Sequence, residues 1–139
     1  MSVKERNQDL RMVMELVYAH LPNTLTDSDL CKDVCAVVAI NLRRVADDIE
    51  NSAAAWDKKA YHSKADDLRR EMAWVLPAAQ LAESLAYQIA KFTKNELIRL
   101  RAAVPEDTEL EAAVRPRFKD VSILRGAAAA ARQTLLKKK

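Results

Sequence analysis

Gly126 is the only glycine among the 139 residues of this chain. Glycine supplies the positive φ angles of tight turns and the bare backbone that lets a phosphate group approach closely. Without more of it, the chain cannot build a Walker loop, a dinucleotide-binding fingerprint, a nucleophile elbow or a calcium loop. The residues that dominate instead are Ala, Leu, Arg, Lys and Glu, which are strong helix formers. The sequence therefore predicts an all-α protein that lacks the usual short motifs of an enzyme.

A chain of this length fits one domain, and we expect residues 1–139 to form a single helical domain. Half of the residues are apolar, which is enough for a real core. The polar stretch from Lys4 to Asp9 is unlike a secretory signal. The longest apolar run, Val34 to Ile40, is far shorter than the roughly 20 residues of a membrane span. We therefore expect a cytoplasmic protein with no membrane partner.

Two helices are predicted before residue 52. Ser2 and Glu5 fit a capping box, and Pro22 with Asn23 ends the helix that follows them. Its apolar face recurs at spacings of three and four, at Leu10, Val13, Met14, Val17 and Leu21. The second helix is predicted to begin with caps in the segment 26–29 and to run to about residue 52.

The second predicted helix is apolar on nearly every side. Between Val34 and Leu42 only Asn41 is polar, and such a helix is buried on nearly every side. One interpretation is a second contact surface for another copy or another subunit, and the other is simply a central position in the bundle. The first interpretation predicts a protein interface at Ala36, Val37, Ala39 and Ile40.

The third predicted helix begins around residues 53–56 and contains Pro77. No Gly, Asn, Asp or Ser surrounds this proline, so we expect a proline kink, or a bend between two helices, and not a true turn. The apolar stripe changes phase near Asn95, where the helix bends or a new one starts. A short helix after Glu106 and a last helix from Phe118 onward complete the chain. The predicted fold is an up-and-down four-helix bundle, kinked at Pro77, with an extra short C-terminal helical piece.

No constellation of reactive side chains points to catalysis. Cys31 and Cys35 lie on an apolar stripe, where a free cysteine acts as a small hydrophobe, and their spacing from His20 and His62 does not fit a zinc site. Glu15 and His20 are five residues apart, whereas di-iron bundles use a Glu-x-x-His pair on each of two helices. We expect no metal, no cofactor, no small-molecule substrate and no enzymatic activity.

Charge is divided unevenly along the chain. Residues 1–90 hold 11 basic and 14 acidic residues, whereas residues 91–139 hold 12 basic and 6 acidic ones. From residue 112 to 139 the count is 8 basic residues against one acid, Asp120. This basic C-terminal segment has two interpretations: a surface for a polyanion such as nucleic acid, or a solubilising tail that also complements a helix C-terminus.

The first interpretation predicts a nucleic-acid interface in the C-terminal third. Arginine dominates there, and its planar guanidinium suits phosphate oxygens. Only one aromatic residue, Phe118, lies among these cations, so we expect recognition of the RNA or DNA backbone or shape, without reading of bases. The predicted contact residues are Arg99, Arg101, Arg115, Arg117, Lys119, Arg125 and Arg132.

Two stretches carry a family resemblance. Asn41-Leu42-Arg43-Arg44-Val45-Ala46-Asp47 holds Asn, a branched aliphatic residue, Ala and an acid, in the order of an Asn-Ile-Ala-Glu-like signature with two residues inserted and no following glycine. The apolar spacing of the third helix is similar too, at Tyr61, Ala65, Leu68 and Met72. Residues 10–90 thus resemble the four-helix-bundle proteins encoded in ribosomal-RNA intervening sequences and the accessory variability proteins of diversity-generating retroelements.

The resemblance implies a basic, often oligomeric bundle that binds nucleic acid and a reverse transcriptase without catalysing a reaction. That family supplies no catalytic residue to carry over, and the segment after Val104 fits its pattern poorly. We therefore expect a non-catalytic accessory subunit that binds nucleic acid and assembles with itself or with a larger complex. Two alternatives remain: a small helical subunit of a CRISPR effector complex, and a protein-interaction adaptor or assembly chaperone.

Overall fold

The structure is a computed structural model that describes the backbone of residues 2–107 and 118–137 and the side chains up to residue 134. Every regular element within those ranges is helical, which confirms the predicted all-α class. The α-helices are α1 (Val3–Met14), α2 (Ser28–Lys58), α3 (His62–Glu71), α4 (Val75–Tyr87), α5 (Lys94–Ala103) and α6 (Ala127–Lys137). A π-helix spans Glu15–His20, and 3₁₀-helices span Leu21–Asn23 and Val121–Leu124. The short helix predicted after Glu106 falls mostly on residues outside the described ranges.

The starts of the first two helices agree with the sequence. The Ser2 hydroxyl accepts a hydrogen bond from the Glu5 backbone N–H at 3.1 Å, and the Asp27 carboxylate accepts one from the Leu30 N–H at 3.1 Å. Both bonds satisfy amides that the helix itself leaves without partners. Pro22 lies in the 3₁₀-helix that closes the first segment, so these predicted boundaries are confirmed.

The predicted third helix is divided differently. Helix α2 continues to Lys58, beyond the expected end near residue 52, because residues 53–57 are mostly alanine and other helix-compatible side chains. The chain then bends between α3 and α4, at residues 72–74, and Pro77 lies in the first turn of α4. A proline is tolerated there because backbone N–H groups in the first turn have no acceptor within the helix, so no hydrogen bond is lost. The structure thus has a bend between two helices, and the kink at Pro77 is not confirmed.

Helix α2 is the centre of the molecule. It packs against α1, α3, α4, α6 and the 3₁₀-helix Val121–Leu124. Its inner residues Val34, Val38, Leu42 and Val45 are completely buried. This central position explains why α2 is apolar on nearly every side without requiring a partner chain.

The C-terminal third gathers at one end of the molecule, where α2 begins and α4 ends. Helix α5 contacts the π-helix and α4, and α6 packs on α2. The Tyr18 hydroxyl of the π-helix donates to the Val104 carbonyl after α5, and the Phe118 N–H donates to Glu15 at 3.0 Å. Residues that are far apart in sequence, including Arg125 and Arg132, therefore lie near the start of α2.

Candidate nucleic-acid interface

Arg125 lies beside the first turn of α2. Asp120 caps the preceding 3₁₀-helix by accepting a hydrogen bond from the Ser122 N–H at 2.9 Å. Arg125 follows this helix and donates to the Asp27 carboxylate at 2.6 Å. This hydrogen bond lowers the pKa of Asp27 and raises the pKa of Arg125. The capped 3₁₀-helix thus positions Arg125, which directly follows it. The Asp27 carboxylate already balances part of the charge of Arg125.

Gly126 joins Arg125 to α6 in a conformation with φ of +92°. A Cβ atom at this position would meet nothing within 4 Å, so space does not explain the glycine. The positive φ explains it, because residues with a Cβ atom rarely adopt this backbone conformation. The one glycine of the chain therefore makes the turn that brings α6 back onto α2.

Asp33 of α2 holds the beginning of α6. Its two carboxylate oxygens accept hydrogen bonds from the Gly126 N–H at 2.8 Å and the Ala128 N–H at 3.0 Å. Asp33 is buried, and its carboxylate caps the N-terminus of a helix that begins 94 residues later in the sequence. A negative charge at this position also complements the positive end of the α6 dipole.

We expect Asp33→Ala to lower the free energy of unfolding by about 2 kcal/mol, because two backbone N–H groups at the start of α6 lose a charged acceptor. Asp33→Asn, which keeps one acceptor oxygen, should lose less. Urea denaturation measures both losses, and faster amide exchange in α6 would localise them. The control is Asp47→Ala on the exposed side of α2, which should change stability by less than about 0.5 kcal/mol. Equal losses for Asp33 and Asp47 would contradict the capping role.

Arg132 of α6 lies over the ring of Tyr87 at the end of α4, with 5.7 Å between the guanidinium carbon and the ring centroid. The two residues border a groove of about 410 Å³ that also contains Lys32, Ala128 and Ala129. Burial raises the pKa of the Tyr87 hydroxyl. Phe118 is the one aromatic residue within the basic C-terminal segment, and the sequence pattern did not point to Tyr87 because that residue precedes Arg132 by 45 positions.

Lys32, Lys91 and Lys94 join this region, although the sequence pattern did not point to them. They line a second groove, of about 1010 Å³, between the start of α2 and the segment that leads into α5. The Lys32 ammonium also donates to the Gln88 carbonyl at 2.8 Å and lines both grooves. We call the set of Lys32, Lys91, Lys94, Arg125 and Arg132 the cationic end. Asp27 and Asp29 also line the larger groove, beside Lys91 and Lys94.

The other predicted contact residues differ in how exposed they are. Arg99 and Lys119 are exposed. Arg101 is half-buried: its guanidinium lies 5.2 Å from the centroid of the Tyr18 ring and donates to the Tyr18 carbonyl. Arg101 thus ties α5 to the π-helix and has little freedom to contact a ligand. Arg115 and Arg117 lie outside the described residues.

Arginines in the two parts of the chain have different partners. Those before residue 90 with a carboxylate within 4 Å are Arg6, Arg43, Arg44, Arg69 and Arg70. In the described part of the last third, Arg125 alone among the arginines has such a partner. Arg99 and Arg132 are exposed, and neither has an acid within 4 Å in the part of the chain that the structure describes. The described part of the last third therefore carries exposed arginines that no nearby carboxylate balances.

The predicted protein interface on α2 needs correction. Ala36 and Ala39 are 0% and 3% exposed, because they face the chain's own core in the centre of the bundle. Val37 is half-buried, and Ile40 is 46% exposed. Only Ile40 and part of Val37 remain on the surface, so this patch is much smaller than the sequence suggested.

Two pairs of titratable side chains lie close together within the chain. The π-helix places Glu15 and His20 with 2.7 Å between Oε2 and Nε2, and His20 packs edge-on against Phe118. Cys31 and Cys35 are buried thiols, and burial raises the pKa of both. Over residues 2–107 and 118–134 no cluster of three His, Cys, Asp or Glu side chains could hold a metal ion.

Comparison with known protein families, curated proteins and solved structures finds no match to this chain. No helix among the described residues has the length and apolar character needed to cross a bilayer.

Proposed function

We propose that this protein is a non-catalytic accessory subunit that binds the phosphate backbone of nucleic acid through the cationic end. The observation that carries the proposal is the set of exposed cations there, Lys91, Lys94 and Arg132, which have no acid within 4 Å among the described residues. Backbone binding requires only such a surface, because each neutralised phosphate releases condensed counterions.

The second part of the proposal is assembly with itself or with a larger nucleoprotein complex, such as one that contains a reverse transcriptase. The resemblance of residues 10–90 to oligomeric four-helix bundles supports this part. Ile40 is the large exposed apolar side chain of α2 that is available for such a contact. A CRISPR effector complex would be another setting for the same backbone-binding role.

The test is reversal of three charges at the cationic end: Lys91→Glu, Lys94→Glu and Arg132→Glu together. We expect the affinity for RNA and DNA to fall at least about 100-fold at low salt. The slope of log affinity against log salt should decrease by about 2 to 3, since each phosphate contact contributes about 0.7 to 0.9. Fluorescence anisotropy over a salt series measures both quantities.

The matched control reverses three exposed lysines around the turn between α2 and α3, with Lys58→Glu, Lys59→Glu and Lys64→Glu. It changes the net charge by the same amount, so a general electrostatic effect would weaken binding equally in both triple variants. Unchanged binding in the first variant would overturn the proposed interface. A wild-type protein that binds neither RNA nor DNA, but binds a protein partner at all salt concentrations, would favour the adaptor alternative.

A further inference from the structure

The groove beside α6 has a different chemical character from the larger one at the start of α2. Tyr87 lines it from the end of α4, and Ala128 and Ala129, which have small side chains, line it from α6. Lys32, Arg132 and Gln133 border it. An aromatic face, two cations and an amide thus surround a space of about 410 Å³, which falls within the range of small-ligand sites.

These groups match the parts of one nucleotide. Every nucleobase has a flat face that stacks on an aromatic ring, and its phosphate is attracted to a guanidinium or an ammonium group. A base inside a duplex is covered on both faces by its neighbours, so it cannot reach the ring without leaving the stack. These groups therefore suit an unpaired nucleotide, whereas the base of a paired nucleotide cannot reach the ring.

We propose that this groove binds an unstacked base of single-stranded nucleic acid on the Tyr87 ring, with Arg132 and Lys32 contacting the adjacent phosphate. This inference rests on the proposed function, because it names the strand state that the cationic end selects. Arg132 covers the ring in the free protein. A base that stacks on Tyr87 displaces the guanidinium, which is on an exposed side chain and can turn toward the phosphate.

Tyr87→Leu tests the stacking, because leucine keeps an apolar side chain at a half-buried position but has no aromatic face. The ligand is a fluorescein-labelled oligothymidylate of about 20 nucleotides, longer than the site of one typical single-strand module. We expect its affinity to fall about tenfold, with the salt slope unchanged, because no phosphate contact is lost. Tyr87→Phe should stay within about twofold of wild type, since the ring remains.

An abasic oligomer of equal length separates bases from phosphates. Wild type and Tyr87→Leu should bind it equally, and a thymidylate–adenylate duplex should bind wild type more weakly than the single strand. Thermal melts of each variant show that it is folded. If Tyr87→Leu binds oligothymidylate as wild type does, or if the duplex binds as tightly, the base-stacking inference is wrong and the proposed function stands. If wild type binds none of the three ligands, both are wrong.

Discussion

Replacing Asp48 by alanine is expected to lower the free energy of unfolding by about 3–5 kcal/mol. Asp48 of α2 forms an ion pair with Arg6 of α1, with 3.1 Å between Oδ2 and Nη1. The two side chains are only 9% and 12% exposed. Asp48→Ala would leave the Arg6 guanidinium charged and largely desolvated between the helices. Its Nε already has no hydrogen-bond partner among the described residues, so little remains to compensate the charge.

Urea denaturation of a set of variants would separate the value of the pair from the cost of breaking it. Arg6→Met combined with Asp48→Leu removes both charges, and we expect it to be nearly neutral, because the desolvation cost disappears together with the attraction. The exposed pair of Arg70 and Asp67, 77% and 60% exposed, is the matched control, and Asp67→Ala should cost less than about 1 kcal/mol. A double variant as unstable as Asp48→Ala would contradict this explanation.

Local chemistry made the helical class and the first two helix starts predictable. Capping depends on side chains within three residues of the amides that they satisfy, as at Ser2 and Asp27. The division of α3 from α4 was harder, because no turn residue marks the bend and the apolar period continues across it. The turn after α2 was equally hidden, since Ala60 adopts a φ of +64° that is usually reserved for glycine.

The cationic end could be predicted only in part. The charge count along the chain identified Arg125 and Arg132 because they belong to a basic stretch. Lys32 belongs to the acidic part of the sequence and reaches the cluster only because α2 begins where α4 ends. Contacts between residues so far apart in sequence depend on how the helices pack, which cannot be predicted from composition or apolar periodicity.

The π-helix shows why a correct spacing rule can miss a contact. Glu15 and His20 are five residues apart, and that spacing does not align side chains on an α-helix. Five residues complete roughly one turn when the hydrogen bonds run from i to i+5, so the π-helix brings the pair together. The prediction that Ala36 and Ala39 form a protein interface was wrong for a different reason. The apolar pattern does mark a buried face, but the chain itself covers that face.

Replacing Phe92 by alanine is the other substitution with a large expected effect, a loss of about 3–5 kcal/mol. Phe92 is 1% exposed and is among the largest fully buried side chains of the described core. It lies in the segment between α4 and α5, outside any helix, and its N–H donates to the Ser28 hydroxyl at 2.7 Å. The buried ring and this hydrogen bond together fasten the segment that carries Lys91 to the start of α2.

Ile89 supplies a control from the same segment, because its side chain is fully exposed at 101%. Ile89→Ala should change the free energy of unfolding by less than about 0.5 kcal/mol, and Ser28→Ala, which removes the single hydrogen bond, by about 1 kcal/mol. Denaturant melts of the three variants would rank them. Because Phe92 positions Lys91 and Lys94, Phe92→Ala should also weaken the proposed nucleic-acid binding at temperatures where the variant remains folded. Equal stability of the Phe92 and Ile89 variants would mean that the segment is not held by the buried ring.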